Sequence, residues 1–196
     1  MVLALFDFDG TITRKDSLSA IIRFIKGDIS YIKGLLRLAP TLLMYKAGRL
    51  SNTTAKERVL RHFFGGMDVN AFQLACDTFG IIRLESIVRN GAMQKIREHQ
   101  LQNHRIILVS ASCENWLSAW CEKVGIEYLA TRLEVINDIV TGKLSGENCY
   151  GPEKVRRINE ITDIATYTRI YAYGDSKGDM ELLSIATDPN YRVFKN

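Results

Sequence analysis

The sequence predicts an α/β fold, a doubly wound parallel sheet with a helical segment inserted after its first strand, and three observations carry the prediction. Val2–Phe8, Arg105–Val109 and Arg169–Tyr173 are short apolar runs without helical length. Runs that are apolar on both faces suit buried parallel strands. Each ends in a polar turn, at Asp9-Gly10-Thr11, Ser110-Ala111-Ser112 and Gly174-Asp175-Ser176. A helix-like stretch follows the second at Glu114–Val124 and the third at Lys177–Ala186, and strand, turn and helix in repetition argue for a parallel sheet.

The segment between the first and second runs is far longer than one crossover needs. Leu18–Ile25, Ile29–Tyr45 (interrupted near Pro40), Thr53–Phe64 and Val69–Phe79 carry apolar residues at three- and four-residue spacing. Gly27, Gly48 and Gly65-Gly66 punctuate them. The expectation is an α/β core at residues 1–14 and 86–196 with a helical cap at 15–85, and Ile87–His99 as the helix leading back into the sheet. Leu133–Ile136, a turn at Asn137-Asp138, and Ile139–Leu144 then read as a β-hairpin. Gly151-Pro152 opens a helix running to Ile161, with proline at a permitted first-turn position.

Composition narrows the class. The 196 residues are 46% apolar and 24% charged, which fits a globular chain rather than a disordered or fibrous one. No uncharged apolar run reaches the roughly 18 residues of a spanning helix. The apolar start is cut off by Asp7 and Asp9, so no signal peptide is expected. A net charge of +4 is too mild to indicate nucleic acid as a partner. Cys76, Cys113, Cys121 and Cys149 form no Cys-x-x-Cys pair and stand apart from His62, His99 and His104, so neither a disulfide framework nor a zinc site is expected. These features point to the cytoplasm, with peripheral contact at the inner face of the membrane as an added option.

Polar residues fall where the strands end. Asp7 and Asp9 close one, Ser110 another, and Asp175 follows a third. Ligands of open parallel sheets bind beyond the carboxyl ends of the strands, so these residues should share a cleft. Carboxylates gathered there repel one another unless a cation lies between them, and an oxygen-only ligand set favours Mg²⁺. Each residue also has a plainer reading. Asp9-Gly10-Thr11 suits an Asx turn, Asp175 a helix cap, Ser110 a local cap, and Lys154, in the first turn of its helix, a solvated surface lysine. Asp7, inside an apolar run, is harder to place without a partner.

Taken in order, Asp7-Phe8-Asp9-Gly10-Thr11, Ser110, Lys154 and Gly174-Asp175-Ser176-Lys177-Gly178-Asp179 resemble the four motifs of the haloacid dehalogenase superfamily of phosphohydrolases. The helical insert matches that family's cap of the first type. Phe8–Ser17, Val109–Ser112 and Thr141-Gly142-Lys143-Leu144 are similar to its phosphoserine-phosphatase-like subfamily. The resemblance implies a Rossmann-like core and a Mg²⁺-dependent phosphomonoester hydrolase. Asp7 would be the nucleophile that forms an aspartyl-phosphate, and Asp9 the acid/base. Asp7, the Asp9 carbonyl and Asp175 would hold Mg²⁺, supported by Asp179, while Ser110 and Lys154 hold the phosphoryl oxygens.

Two departures bear on the substrate. Phosphoserine phosphatases carry Ser-Gly-Gly and an asparagine before the last aspartate, where this chain has Ser110-Ala111-Ser112 and Gly178. Asp16 stands where those enzymes hold the substrate's amino group, a position that equally suits a helix cap. Tyr31–Lys46 is rich in leucine with interspersed cations, either a packed cap helix with solvated lysines or an interfacial segment. The fourth motif is similar to that of certain bacterial phosphatidylglycerophosphate phosphatases. The expected substrate is therefore a small or lipid phosphomonoester, with phosphoserine hydrolysis, or transfer from the same phospho-aspartate to an alcohol, as alternatives.

Overall fold

The computed structural model describes residues 1–195. Its centre is a five-stranded parallel sheet of β1 (Val2–Phe6), β2 (Arg105–Cys113), β3 (Glu127–Thr131), β6 (Arg169–Gly174) and β7 (Asp188–Tyr191), ordered β3-β2-β1-β6-β7. Along β1 the side chains alternate between two apolar clusters. Ala4 and Phe6 join Ile106, Leu108 and Trp116 on one face, while Leu3 and Leu5 join Ile107, Val109, Ile170 and Leu182 on the other. Burial on both faces explains why β1 and β2 read as continuous apolar runs.

Helices α1 (Ser17–Lys26), α2 (Asp28–Lys46), α3 (Asn52–Phe64) and α4 (Val69–Ile82) fill the expected insert. Asp16, Ser51 and Asp68 accept from backbone amides three residues on and start α1, α3 and α4. The helix α2 runs through Pro40 without the expected interruption. Pro40 and Leu36, whose carbonyl would have received the missing amide, both lie on the exposed side, where water can serve that carbonyl. The chain leaves and returns through a narrow neck, where Thr13 bridges Val88 and Arg14 N donates to Ile87 O at 2.7 Å. Phe64 and Phe72 of the insert pack in the same cluster as Trp116 and Trp120, so apolar contact continues from insert into core.

Other elements differ from expectation at their edges. The returning helix α5 spans Asn90–Leu101, after a short turn at Leu84–Ile87. β6 is followed by a tight turn at Lys177–Asp179 and the short α8 (Met180–Ser184), where one longer helix over Lys177–Ala186 was expected. β2 extends past Val109 to Cys113, and its pairing with β3 shifts register between Ser110 and Cys113. α6 (Glu114–Val124) and α7 (Pro152–Ile161) lie where expected, as does the hairpin of β4 (Leu133–Ile136) and β5 (Ile139–Leu144). Asn137 and Asp138 both take positive φ, 50° and 61°, which suits a two-residue hairpin turn. β3 and β7 were not legible. Glu127–Thr131 is half-buried and Asp188–Tyr191 contains a proline and two polar residues, as edge strands tolerate.

Candidate active site

The sheet order reverses about β1, whose neighbours are β2 and β6, and crevices for ligands form at such a point. Asp7 follows the last residue of β1, and its N–H donates to Tyr173 O in β6 at 2.9 Å. Asp175 follows β6, and Ser110 lies in the terminal segment of β2. Ser110, buried, accepts from Ser112 N at 3.0 Å and holds the irregular end of β2 in shape.

Lys154 is 1% exposed, so the surface-lysine reading fails. Its Nζ donates to Asp7 Oδ1 and to Asp179 Oδ1, each at 2.7 Å. A buried ammonium would ordinarily lose its proton, but the two carboxylates hold its pKa above the usual lysine value. Burial pushes Asp7 up to about 6 against the pull of Lys154. At Asp179 burial is outweighed by Lys154 and by hydrogen bonds from Ser176, and its pKa falls below the carboxylate norm. Asp179 Oδ2 also accepts from Asp175 N at 3.1 Å, Ser176 N at 3.0 Å and Ser176 Oγ at 2.8 Å. That aspartate anchors Lys154 and shapes the loop that carries Asp175.

Asp7, Asp175 and Asp179 each place an oxygen within 4.8 Å of the others, and all three are buried. A Cβ at Gly10 would lie 2.6 Å from Asp175 Oδ2, so only glycine lets that carboxylate approach the Asp7–Thr11 loop. Lys195 pairs with Asp175 Oδ2 at 2.6 Å, leaving Asp7 Oδ2 and Asp175 Oδ1 outside these lysine contacts. Buried hard oxygen donors at this spacing fit a small divalent cation.

Asp9 points elsewhere. Its Oδ1 accepts from Ser17 N at 2.7 Å, and its Oδ2 from Ser17 Oγ at 2.9 Å and Ser112 Oγ at 2.5 Å. Burial, reinforced by the charge of Asp16, raises it to about 7 despite these bonds. Its side chain is thus outside the acidic cluster, in a range suited to giving and taking a proton.

Asp7, Asp9, Ser110, Lys154 and Asp179 line one cavity of about 430 Å³. Residues passed over in the sequence complete it. Lys56, on α3, donates to Ala111 O and, at 2.8 Å, to Asn148 Oδ1. Burial lowers the pKa of Lys56. Asn52, Lys56 and Val59 all line the cavity at helical spacing, the one signal that would have marked this lysine as inward-facing. Leu18, Leu42, Tyr45, Trp116 and Tyr150 supply apolar walls. A Cβ at Gly178 would sit 2.2 Å from the Tyr150 ring, so tyrosine occupies the space an asparagine there would need. Asp16 lines the cavity while also capping α1 through Ser19 N at 2.7 Å, which meets the cap reading. Among the histidines, His99 is buried against Phe6 of β1 and Tyr173 of β6, bonded to Tyr173 Oη and His104 Nδ1, and lines no part of this cavity.

Comparison with known proteins agrees with this arrangement. The profile of the haloacid dehalogenase-like hydrolases matches residues 4–184. Protein CicA of Caulobacter vibrioides is 32% identical over 198 residues, covering 99% of this chain and 87% of that protein. A histidinol-phosphatase of Neisseria meningitidis is 24% identical over 211 residues, covering 95% and 88%. A phosphoserine phosphatase solved as a phospho-aspartyl intermediate analogue superposes with a TM-score of 0.66 at 21% identity, covering 94% and 82%. By its profile, its relatives and its parallel sheet with acidic strand ends, the chain belongs to the haloacid dehalogenase-like hydrolases.

Proposed function

We propose that this protein is a Mg²⁺-dependent phosphomonoester hydrolase that works through an aspartyl-phosphate on Asp7. The observation that carries the reading is the Asp7–Lys154–Asp179 triplet, two carboxylates on one buried ammonium, within a cavity that Ser110 also lines. Asp7 attacks phosphorus, the ester oxygen departs, and Asp9 gives that oxygen its proton. Asp9 then takes a proton from the water that cleaves the acyl phosphate and returns Asp7 as a free carboxylate. Lys154 and the Ser110 hydroxyl stabilise the oxygens as charge spreads over them. Mg²⁺, held by Asp7, Asp175 and the Asp9 carbonyl, with Asp179 supporting, would offset the repulsion between nucleophile and phosphate. The insert at 15–85 acts as a cap that excludes water and selects the leaving group.

The cavity favours an organic portion larger and less polar than serine. Beyond the polar groups around Asp7, its walls include Leu18, Leu42, Tyr45, Val59 and Trp116, and Tyr150 fills the space at Gly178 where the asparagine of phosphoserine phosphatases would stand. We assign the substrate to amphiphilic or other small phosphomonoesters. The test is turnover of p-nitrophenyl phosphate. Asp7→Asn should lower kcat by at least about 10³-fold with the fold intact, since covalent and positioning effects are lost together. EDTA should abolish activity and added Mg²⁺ restore it. Full activity of Asp7→Asn would refute the aspartyl-phosphate on Asp7, and phosphate appearing on an alcohol instead of in water would refute the hydrolase.

A further inference from the structure

The face of α2 turned away from the molecule is apolar where a surface helix is ordinarily polar. Gly34, Leu38 and Thr41 form its buried side. Ile29, Ile32, Leu36 and Leu43 point the opposite way, at 71%, 54%, 71% and 66% exposure, with Pro40 between them. Positions 29, 32, 36, 40 and 43 fall three or four apart, so the exposed residues form one continuous stripe. Lys33, Arg37, Lys46 and Arg49 are exposed beside it, and among the described residues none of the four has an ion-pair partner. Asp28 is the only acidic residue from 28 to 50, and it pairs with Arg23 at 3.5 Å.

The stripe also leads somewhere. Leu42 and Tyr45 line the catalytic cavity, and Leu43 and Met44 between them are exposed. The C-terminal turn of α2 therefore carries both the end of the exposed stripe and part of the cavity wall. We infer that this face seats α2 on an anionic lipid bilayer, its leucines and isoleucines in the acyl boundary and its cations among the headgroups. The positive flanks choose an anionic surface over an uncharged one. In that position the end of α2 that walls the cavity lies at the membrane surface, and the substrate is the phosphate end of a bilayer-anchored monoester. This last consequence rests on the hydrolase reading above, whereas the docking does not.

Sedimentation with vesicles separates the two. Full-length protein should co-sediment with vesicles of phosphatidylglycerol and phosphatidylcholine in equal parts at low salt, and much less with phosphatidylcholine alone. At about 1 M NaCl, where screening acts within ~3 Å, the preference for anionic vesicles should disappear. Leu36→Asp with Leu43→Asp should lower partitioning by about 100-fold or more, roughly tenfold for each leucine withdrawn. Turnover of p-nitrophenyl phosphate should be unchanged, since neither side chain reaches the cavity. Asp7→Asn should partition like the unaltered protein, so a failed mechanism leaves docking standing. Protein that stays in the supernatant at low salt would overturn the inference, as would equal binding by the double variant. A dimer that the double variant splits, without vesicle binding, would assign the face to a second copy instead.

Discussion

Lys154 decides most at the scale of single residues. A lysine in the first turn of a helix opposes the macrodipole, and burial opposes its charge, yet it is both. Two aspartates from distant parts of the chain, Asp7 and Asp179, resolve the conflict. Replacing Lys154 with methionine leaves two buried carboxylates unpaired. Lys154→Met should therefore cost about 3–5 kcal/mol of stability near neutral pH, measured by urea unfolding, and should abolish turnover. A stability loss within 0.5 kcal/mol, about what a surface substitution causes, would show that the triplet is not buried in solution. That Asp7, Asp9 and Asp175 gather beyond the sheet was legible because apolar runs that end in acids leave few places for those acids to go, whereas Lys154 read by itself as a surface lysine and, like Asp179, took a role only through the ordered motifs of the resemblance. Lys56 and Asn148 were not legible, because neither interrupts an apolar pattern and their pairing spans two elements.

At the scale of elements, the hairpin shows why a conformational detail matters to the site. β5 lies against α3 so closely that a Cβ at Gly142 would stand 2.3 Å from the Arg61 backbone, and Gly142 has a φ of +79°. Leu144 N donates to Glu57 Oε1 at 3.0 Å on the same helix. Lys56 of α3 in turn reaches Asn148, which follows the hairpin and lines the cavity. Gly142→Ala should lift the hairpin from α3, lowering stability by about 1–3 kcal/mol. It should also raise KM more than it lowers kcat, because Asp7 and Lys154 lie on other elements. Unaltered unfolding and kinetics would show that this contact is not made. The hairpin itself was legible from its turn residues and alternation, but its seat on α3 was not, since only three-dimensional packing assigns it.

For the whole molecule, the buried strands and their helices could be read from periodicity, while the edge strands β3 and β7 could not. Edge strands need only half-burial, so their sequences lack the apolar run that marks β1. One consequence of folding concerns His99, packed among Phe6, Tyr171 and Tyr173, with Nδ1 2.7 Å from His104 Nδ1 and Nε2 2.9 Å from Tyr173 Oη. The two facing nitrogens share a bond only while one is unprotonated. Burial, then His104 and Lys95, lower His99 to about 4, against the weaker opposite pull of Glu98 and Asp188. The unfolded chain takes up this proton near pH 6.5, the folded chain only near 4. Stability from this group is complete above pH 6.5 and declines as pH falls toward 4. His99→Phe should flatten the pH dependence of the urea midpoint across that window, and an unchanged slope would remove His99 as its source.

In the proposed mechanism the carboxylate at the end of β1 takes the phosphoryl group. Mixing the protein with p-nitrophenyl phosphate and Mg²⁺, quenching in acid within one turnover, and mapping the peptides by mass spectrometry tests it directly. Phosphate should appear on Asp7 alone, rising and decaying on the timescale of product release. Product released in the first turnover with Asp7 unmodified, or with phosphate on a different side chain, would contradict that mechanism.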